Sequence, residues 1–324
     1  MKPLVQIKYF GPTQITWILN QSCPFHCWYC PDFIHKGRNN TFDWETCNKF
    51  LDFLFEKYPY ANISMSGGEP TTWPYFEKLV DKVAESGKKI YIGVNSNLIR
   101  TREWWTRMAP KLTGVSASYH PSVIKTEEER ADWFDKLEMI SQLTETNLRV
   151  MMDPGHWDHC IDVVEKIKNR DDTTFGVEPV RLLNYFEGFD LVNYNIDYTP
   201  EQDQMLPGLD FIPAKVVPEV VKAKQYPQIN RFVFEGGQQQ RAEHFAPVVL
   251  NKVNQFKGWK CNIGLESLYI SPDGLIKRGN CFEGGIIGNI LEPENIKWAT
   301  GPIECTYDVC HCFTDIRITK WKVK

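Results

Sequence analysis

The constraint that acts most strongly on this chain is an alternation of short apolar strands with helices over its first 180 or so positions. Residues 14–19 read as a strand, and residues 44–58 as a helix with Phe50, Leu51, Leu54 and Phe55 on one face. Strands follow at 62–65, 89–94, 114–118, 147–152 and 174–180. Helices fall between them at 74–85, 101–108, 127–143 and 157–168. A helix after each strand carries the chain back across the sheet, so successive strands lie parallel. Six such units fall short of the eight that close a full barrel. The pattern predicts an α/β fold: a partial, open (β/α)6 TIM-like barrel with its active face at the strand C-termini.

The pattern breaks after Val180. Residues 185–209 are aromatic, acidic and irregular, which predicts a loop. Residues 213–224 and 241–256 look helical on either side of a strand at 231–234. From Gly258 the texture becomes short strands and turns, among them 267–271 and the turn Pro272-Asp273-Gly274. The expected organisation is a barrel over 1–183, a connector with helices over 184–256, and a small C-terminal cysteine-bearing module over 257–324.

Composition excludes several classes. With 37 Lys+Arg against 41 Asp+Glu over 324 residues, the net charge of −4 gives no reason to expect nucleic acid or an acidic membrane surface as partner. No apolar run approaches the roughly 18 residues of a membrane span, and the N-terminus lacks a signal-peptide core. A soluble, cytoplasmic protein is expected. The oddity is ten cysteines. Cys23, Cys27 and Cys30 lie together, and Cys261, Cys281, Cys305, Cys310 and Cys312 fall in the last fifth. Without a signal peptide, such clustering points to metal or catalysis rather than disulfides. Cys47 and Cys160 stand alone within helices and read as small buried apolar residues.

Cys23-Pro-Phe-His-Cys27-Trp-Tyr-Cys30 follows the first predicted strand. Three thiolates in eight residues suit three corners of a [4Fe–4S] cube, leaving one iron open. A zinc site with His26 or a distant residue as fourth ligand is the alternative. The second predicted strand ends in Gly67-Gly68-Glu69-Pro70. Two glycines there let a ligand approach the backbone, and exposed carbonyls with a carboxylate suit an ammonium group. An ordinary strand-to-helix turn would use the same residues.

This CxxxCxxC run with Tyr29 before its last cysteine, together with the Gly-Gly-Glu-Pro turn, resembles the radical S-adenosylmethionine (SAM) superfamily. The resemblance implies that Cys23, Cys27 and Cys30 hold a SAM-binding [4Fe–4S] cluster. It further implies that Gly67, Gly68, Glu69 and Pro70 position SAM, and that SAM is cleaved to a 5′-deoxyadenosyl radical. Asn95, Asn97, Ser116 and Ser118 sit where the family places polar SAM contacts, although Asn-Ser-Asn replaces the family's Thr-Asn-Gly. A flavodoxin- or ferredoxin-type electron donor is implied as well.

The C-terminal residues resemble the SPASM/twitch extension of that superfamily: Cys261, a hairpin with a Pro-Asp-Gly turn, Cys281, Gly288-Asn289-Ile290, then Cys305, Cys310 and Cys312. The resemblance implies one auxiliary [4Fe–4S] cluster, for which five cysteines compete for four places; a zinc ribbon is the alternative. His120, Asp153 and Glu178 are the candidate catalytic residues. Arg149 and Asn184 join them in or just beyond strands four to six, where barrel enzymes place substrate contacts. The leading expectation is a radical SAM oxidoreductase or maturase acting on a small molecule, with the second cluster oxidising or anchoring substrate. Its rivals are a maturase modifying a ribosomal peptide, disfavoured because only about ten residues precede the first strand, and a non-catalytic metal-binding scaffold.

Overall fold

The computed structural model describes residues 3–39, 42–182, 185–187, 190–192, 196–206, 209, 211–242, 248, 253–310 and 314–323. The chain opens with β1 (Leu4–Phe10), β2 (Thr13–Ser22), α1 (Asp32–His35) and β3 (Lys36–Asn39). It continues as α2 (Trp44–Lys57), β4 (Tyr60–Gly67), α3 (Phe76–Glu85), β5 (Lys89–Ser96), α4 (Arg102–Met108) and β6 (Gly114–Tyr119). Next come α5 (Glu127–Ser141), β7 (Glu145–Met152), α6 (Trp157–Lys168) and β8 (Gly176–Arg181). Strands β2, β4, β5, β6, β7 and β8 pair in that order, each parallel to the next. This is the expected open (β/α)6 arrangement.

Side-chain alternation explains its inside and outside. Ile15, Trp17 and Leu19 of β2, Ala61, Ile63 and Met65 of β4, and Leu148, Val150 and Met152 of β7 are at most 1% exposed. They belong to one core with the helix residues Phe50, Leu79, Leu137 and Val164. The intervening positions are small or polar and line the lumen, for example Ser64, Ser66, Asn95, Ser116, Ser118 and Arg149. A closed barrel fills that space with branched apolar side chains. Here the lumen stays hollow, with polar strand positions and the apolar side chain of Met151 facing it. Asp43, Thr101 and Thr126 cap α2, α4 and α5, and Thr126 forms a full capping box with Glu129.

The second half departs from expectation. Residues 185–209 are more than a loop: β9 (Tyr185–Glu187) and β10 (Asp190–Val192) form a hairpin, and Thr199 with Gln202 boxes the start of α7 (Pro200–Met205). Tyr198 fastens this segment to the barrel, its hydroxyl donating to Met152 O at 2.7 Å and accepting from Leu182 N at 2.9 Å. Of 213–224, only α8 (Glu219–Lys222) is helical, because Pro213 and Pro218 deny earlier turns their N–H donors. Of the helix expected over 241–256, the described residues show only Val248 as helical, and 253–256 carry no regular structure. Arg241 and Ala242 instead finish β12 (Gln239–Ala242), paired with β11 (Ile229–Phe234).

The chain closes with β13 (Trp259–Cys261), β14 (Ser267–Ile270), β15 (Leu275–Lys277), β16 (Ile286–Asn289), β17 (Ile303–Glu304) and β18 (Lys320–Lys322). The described residues of 257–324 form no sheet of their own. β14 adds to the barrel sheet, parallel to β2 with Ser267 opposite Gln14, and β15 and β16 extend it. β13, β17 and β18 join an antiparallel sheet ordered β12-β11-β1-β18-β13-β17. The N-terminal lead-in is thus a strand, paired with partners more than 200 positions away. Among the described residues, no helix is long and apolar enough to cross a membrane.

Candidate functional site

A cavity of about 470 Å³ opens at the C-terminal ends of the parallel strands. Of the candidate residues, Cys23, Cys27, Cys30, Tyr29, Gly67, Gly68, Glu69, Asn95, Asn97, Ser118 and His120 all line it. The cysteines come from the loop leaving β2, where Cys30 N donates to Cys27 O at 3.0 Å. Burial pushes the thiols of Cys23 and Cys30 up to about 12 and that of Cys27 to about 11. Three such thiols facing one cavity call for a cationic partner to hold them as thiolates. Among the described residues, no three Cys, His, Asp or Glu donors are gathered tightly enough to hold a single metal ion.

The Gly-Gly-Glu-Pro turn works differently from the sequence expectation. A Cβ on Gly68 would lie 2.3 Å from Ser22 O and 2.5 Å from Ile34 O, and one on Gly67, at φ +144°, would lie 2.4 Å from Asn20 O. The glycines are therefore required first by the chain itself, because β2 and α1 occupy the space a side chain would need. Glu69 is 1% exposed. Its Oε1 accepts from Thr71 N (3.2 Å), Thr71 Oγ1 (2.7 Å) and Ser96 Oγ (2.9 Å), and its Oε2 from Asn97 N (2.8 Å). Desolvation still raises its pKa above the usual carboxylate range despite these four donors. The carboxylate braces the ends of β4 and β5. Asn97 is placed by that bond, and its Nδ2 lies 3.5 Å from Cys23 Sγ. Asn20, which the sequence reading passed over, donates from Nδ2 to Glu69 O at 2.9 Å.

Pro70 opens a buried 3-10 turn and does not line the cavity. Ser116 sits two residues deeper in β6 than Ser118 and faces a separate lumen cavity of about 170 Å³ with Asn62, Ser64 and Asn147.

The three candidate catalytic residues each engage neighbouring side chains. His120 Nδ1 lies 2.7 Å from Tyr29 Oη and 3.3 Å from Cys27 Sγ, and the imidazole stacks on the Tyr29 ring. Burial, reinforced by the Arg149 charge, lowers its pKa to about 4, so the ring is neutral. It is turned onto the cysteine loop. Asp153 is fully buried and outside the cavity lining; it accepts from Trp28 Nε1 (3.0 Å), Gly155 N (2.9 Å) and His156 Nδ1 (3.2 Å). It ties the cysteine loop to the turn after β7. Glu178 is also outside the lining and accepts from Arg149 Nε at 3.0 Å and Asn147 Nδ2 at 3.3 Å. It thereby orients Arg149, which does face the cavity. Asn184 lies outside the described residues. Arg181, Leu182 and Met151 are also part of the wall. Alternation along β7 marks Met151 as inward, whereas Arg181 and Leu182 carry no sequence signal.

A second, much smaller cavity of about 20 Å³ is lined by Cys261, Cys281, Cys305 and Cys310, with Phe256, Asp315 and Lys320. Burial raises all four thiols, Cys310 to about 11. Cys312 lies outside the described residues. Cys47 and Cys160 are fully buried within the main core, as expected.

Comparison with known proteins bears on the first cavity. Over 87 residues the chain is 32% identical to the S-adenosylmethionine-dependent nucleotide dehydratase of Thermoplasmatales archaeon (strain ISO4-H5), a match that spans 26% of this chain and 30% of that protein's length. Among solved structures, His-tagged anSMEcpe with bound AdoMet aligns with a TM-score of 0.54 at 16% identity, covering 87% of this chain and 78% of the other. SuiB of Streptococcus suis, bound to its precursor peptide SuiA, aligns with a TM-score of 0.52 at 11% identity, covering 90% and 65%. At these identities the structural likeness speaks for the fold alone. Residues 17–175, which contain the three-cysteine loop, the glycine turn, the second half of β2 and the whole of β4, β5, β6 and β7, match the radical SAM superfamily. Residues 17–175, just under half of the chain, carry the domain of the radical SAM superfamily, whose members carry a [4Fe–4S] cluster and SAM.

Proposed function

We propose that the protein is a radical SAM enzyme in which Cys23, Cys27 and Cys30 hold the SAM-binding [4Fe–4S] cluster and Cys261, Cys281, Cys305 and Cys310 an auxiliary one. The observation that carries this reading is the convergence of three cysteines, the glycine turn and the polar ends of β5 and β6 on one cavity. The donor set fits the group: the thiols are soft ligands held in a buried loop, and iron supplies the positive charge that would keep them deprotonated. When bound, the cluster supplies the electron that cleaves SAM to methionine and a 5′-deoxyadenosyl radical, which abstracts a substrate hydrogen atom.

The chain's own residues do the positioning. Glu69 fixes the turn through its four donors and holds the Asn97 amide beside Cys23. Main-chain carbonyls of the turn are left to meet the SAM ammonium, since the carboxylate is already engaged. Ser118 and Arg149, opposite each other in β6 and β7, supply a hydroxyl and a guanidinium for anionic or hydroxyl groups of the ligand. Tyr29, His120 and Asp153 hold the cysteine loop against the barrel. The cavity lies within the roughly 300–1,000 Å³ of small-ligand sites, a size that suits SAM itself.

In this reading residues 1–183 carry the SAM chemistry, 184–256 connect, and 257–324 hold the second cluster. Anaerobic reconstitution is expected to load about eight irons per chain, two cubes' worth. Dithionite with SAM is then expected to release 5′-deoxyadenosine. One bound zinc and no SAM cleavage would overturn the proposal. Loss of turnover in Cys27→Ala, with about four irons retained at the C-terminal site, separates the two clusters.

A further inference from the structure

Lys320 is among the largest fully buried side chains of the protein, at 1% exposure. A lysine is almost never buried to that degree without a partner for its charge. Its position is set by pairing: β18 runs antiparallel to β13 with Lys320 directly opposite Cys261. Side chains opposite each other on one face of a ladder lie about 5 Å apart at Cβ. Its Nζ donates to the main-chain carbonyl of Asp315 at 2.5 Å and lies 5.1 Å from the Phe256 ring centroid. That single bond uses one of three protons. No carboxylate among the described residues comes within ion-pairing distance of the ammonium, although Asp315 and Glu283 also line the cavity. Asp315 spends Oδ2 on Cys281 N at 2.7 Å, and Glu283 accepts from Thr306 N and Oγ1. Lys320 is the one cation among the described residues of the lining.

We infer that Lys320 is an internal countercharge to the C-terminal cluster, a positioning residue that favours the cluster's reduced form. The inference rests on the reading of the four cysteines as cluster ligands. A cube held by four thiolates carries a net charge of about −2 that becomes about −3 on reduction, and the potential of such a cluster responds to nearby charge and hydrogen bonds. A fixed ammonium in a water-poor cavity therefore stabilises the reduced state more than the oxidised one. That is the direction required of a cluster that takes an electron from substrate.

The test uses the full chain with Cys23, Cys27 and Cys30 changed to Ala, so that the C-terminal cluster alone gives a spectroscopic signal. Potentiometric titration followed by electron paramagnetic resonance compares this parent with Lys320→Met and Lys320→Arg, each checked for iron and sulfide content. In Lys320→Met the ratio of reduced to oxidised cluster at fixed potential is expected to fall at least tenfold, equivalent to at least 59 mV for a one-electron couple. Lys320→Arg, which keeps the charge, is expected to stay within threefold. A Met variant that loses its cluster while the Arg variant keeps one also supports the inference. Fully loaded Met protein titrating within threefold of the parent, or loss of the cluster in both variants, overturns it. A parent that holds no iron at all refutes the underlying ligand assignment instead.

Discussion

Gly68→Ala separates two explanations for the glycine turn: room for a ligand and room for the chain's own backbone. A Cβ at this position would sit 2.3 Å from Ser22 O and 2.5 Å from Ile34 O. Ordinary contact begins at 3.4 Å, so relief needs 3.4 − 2.3 = 1.1 Å of movement. Both obstacles are main-chain atoms, and neither can rotate away. Moving them strains the bonds from Glu69 N to Ser22 O (2.9 Å) and from Gly68 N to Asn20 O (3.1 Å), which seal the end of β2 against β4. Overpacking costs about 1–3 kcal/mol, and two hydrogen bonds add about 1 kcal/mol each, giving roughly 3–5 kcal/mol. The assay is urea unfolding of the apo protein followed by tryptophan fluorescence, with the midpoint falling and the slope unchanged. Gly87→Ala is the control: its φ is +65° with nothing within 4 Å of the new Cβ, so only the left-handed penalty of about 1 kcal/mol applies. Apo Gly68→Ala within about 0.5 kcal/mol of the parent would refute the backbone explanation and leave ligand approach as the reason for the glycine.

Three further outcomes follow from the same contacts. Cys305→Ser is expected to drop the reconstituted iron content from about eight to about four, and Cys312→Ser to leave it near eight; iron analysis showing the reverse would move the fourth auxiliary ligand from Cys305 to Cys312. Glu69→Ala strips the acceptor from the buried N–H groups of Thr71 and Asn97, at about 1–3 kcal/mol each, so apo stability should fall by roughly 2–6 kcal/mol. Glu69→Gln, which keeps one oxygen, should fall less, and equal losses in urea unfolding would show that charge rather than the acceptor count matters. Tyr29→Phe removes the 2.7 Å bond to His120 and should lower apo stability by about 0.5–1.5 kcal/mol with iron loading intact. Loss of iron in that variant would show that the bond to His120 is needed to keep the cysteine loop in its cluster-binding form.

The barrel was legible because each of its units satisfies itself locally. Residues 157–168 carry the spacing of a one-sided helix, and Ala61, Ile63 and Met65 alternate with the polar residues that turn out to face the lumen. The long-range pairs were not legible. Leu4–Phe10 carries a strand-like alternation, Val5, Ile7 and Tyr9 against Gln6 and Lys8, but nothing local names its partners, which lie at Ile229–Phe234 and Lys320–Lys322. Nor does Ser267–Ile270 announce that it will extend a parallel sheet begun 250 positions earlier.

The site divides in the same way. Motif spacing gathers Cys23, Cys27, Cys30 and the glycine turn on one cavity, since strand ends of one sheet converge whatever the side chains are. Residue chemistry alone singled out His120, Asp153 and Glu178 without showing what they bond to. A histidine and two acids near a barrel mouth resemble acid–base groups until their partners are seen, and here those partners are Tyr29, Trp28 and Arg149. Lys320 is the converse case. In Thr319-Lys320-Trp321-Lys322 it reads as one of two surface lysines, and only its pairing with Cys261 turns it inward. Its neighbour in the alternation, Trp321, is partly exposed while the lysine is buried, which inverts the usual preference of the two side chains. An inversion of that kind costs stability unless something in the cavity repays the buried charge, and the four cysteines around it are the groups placed to do so.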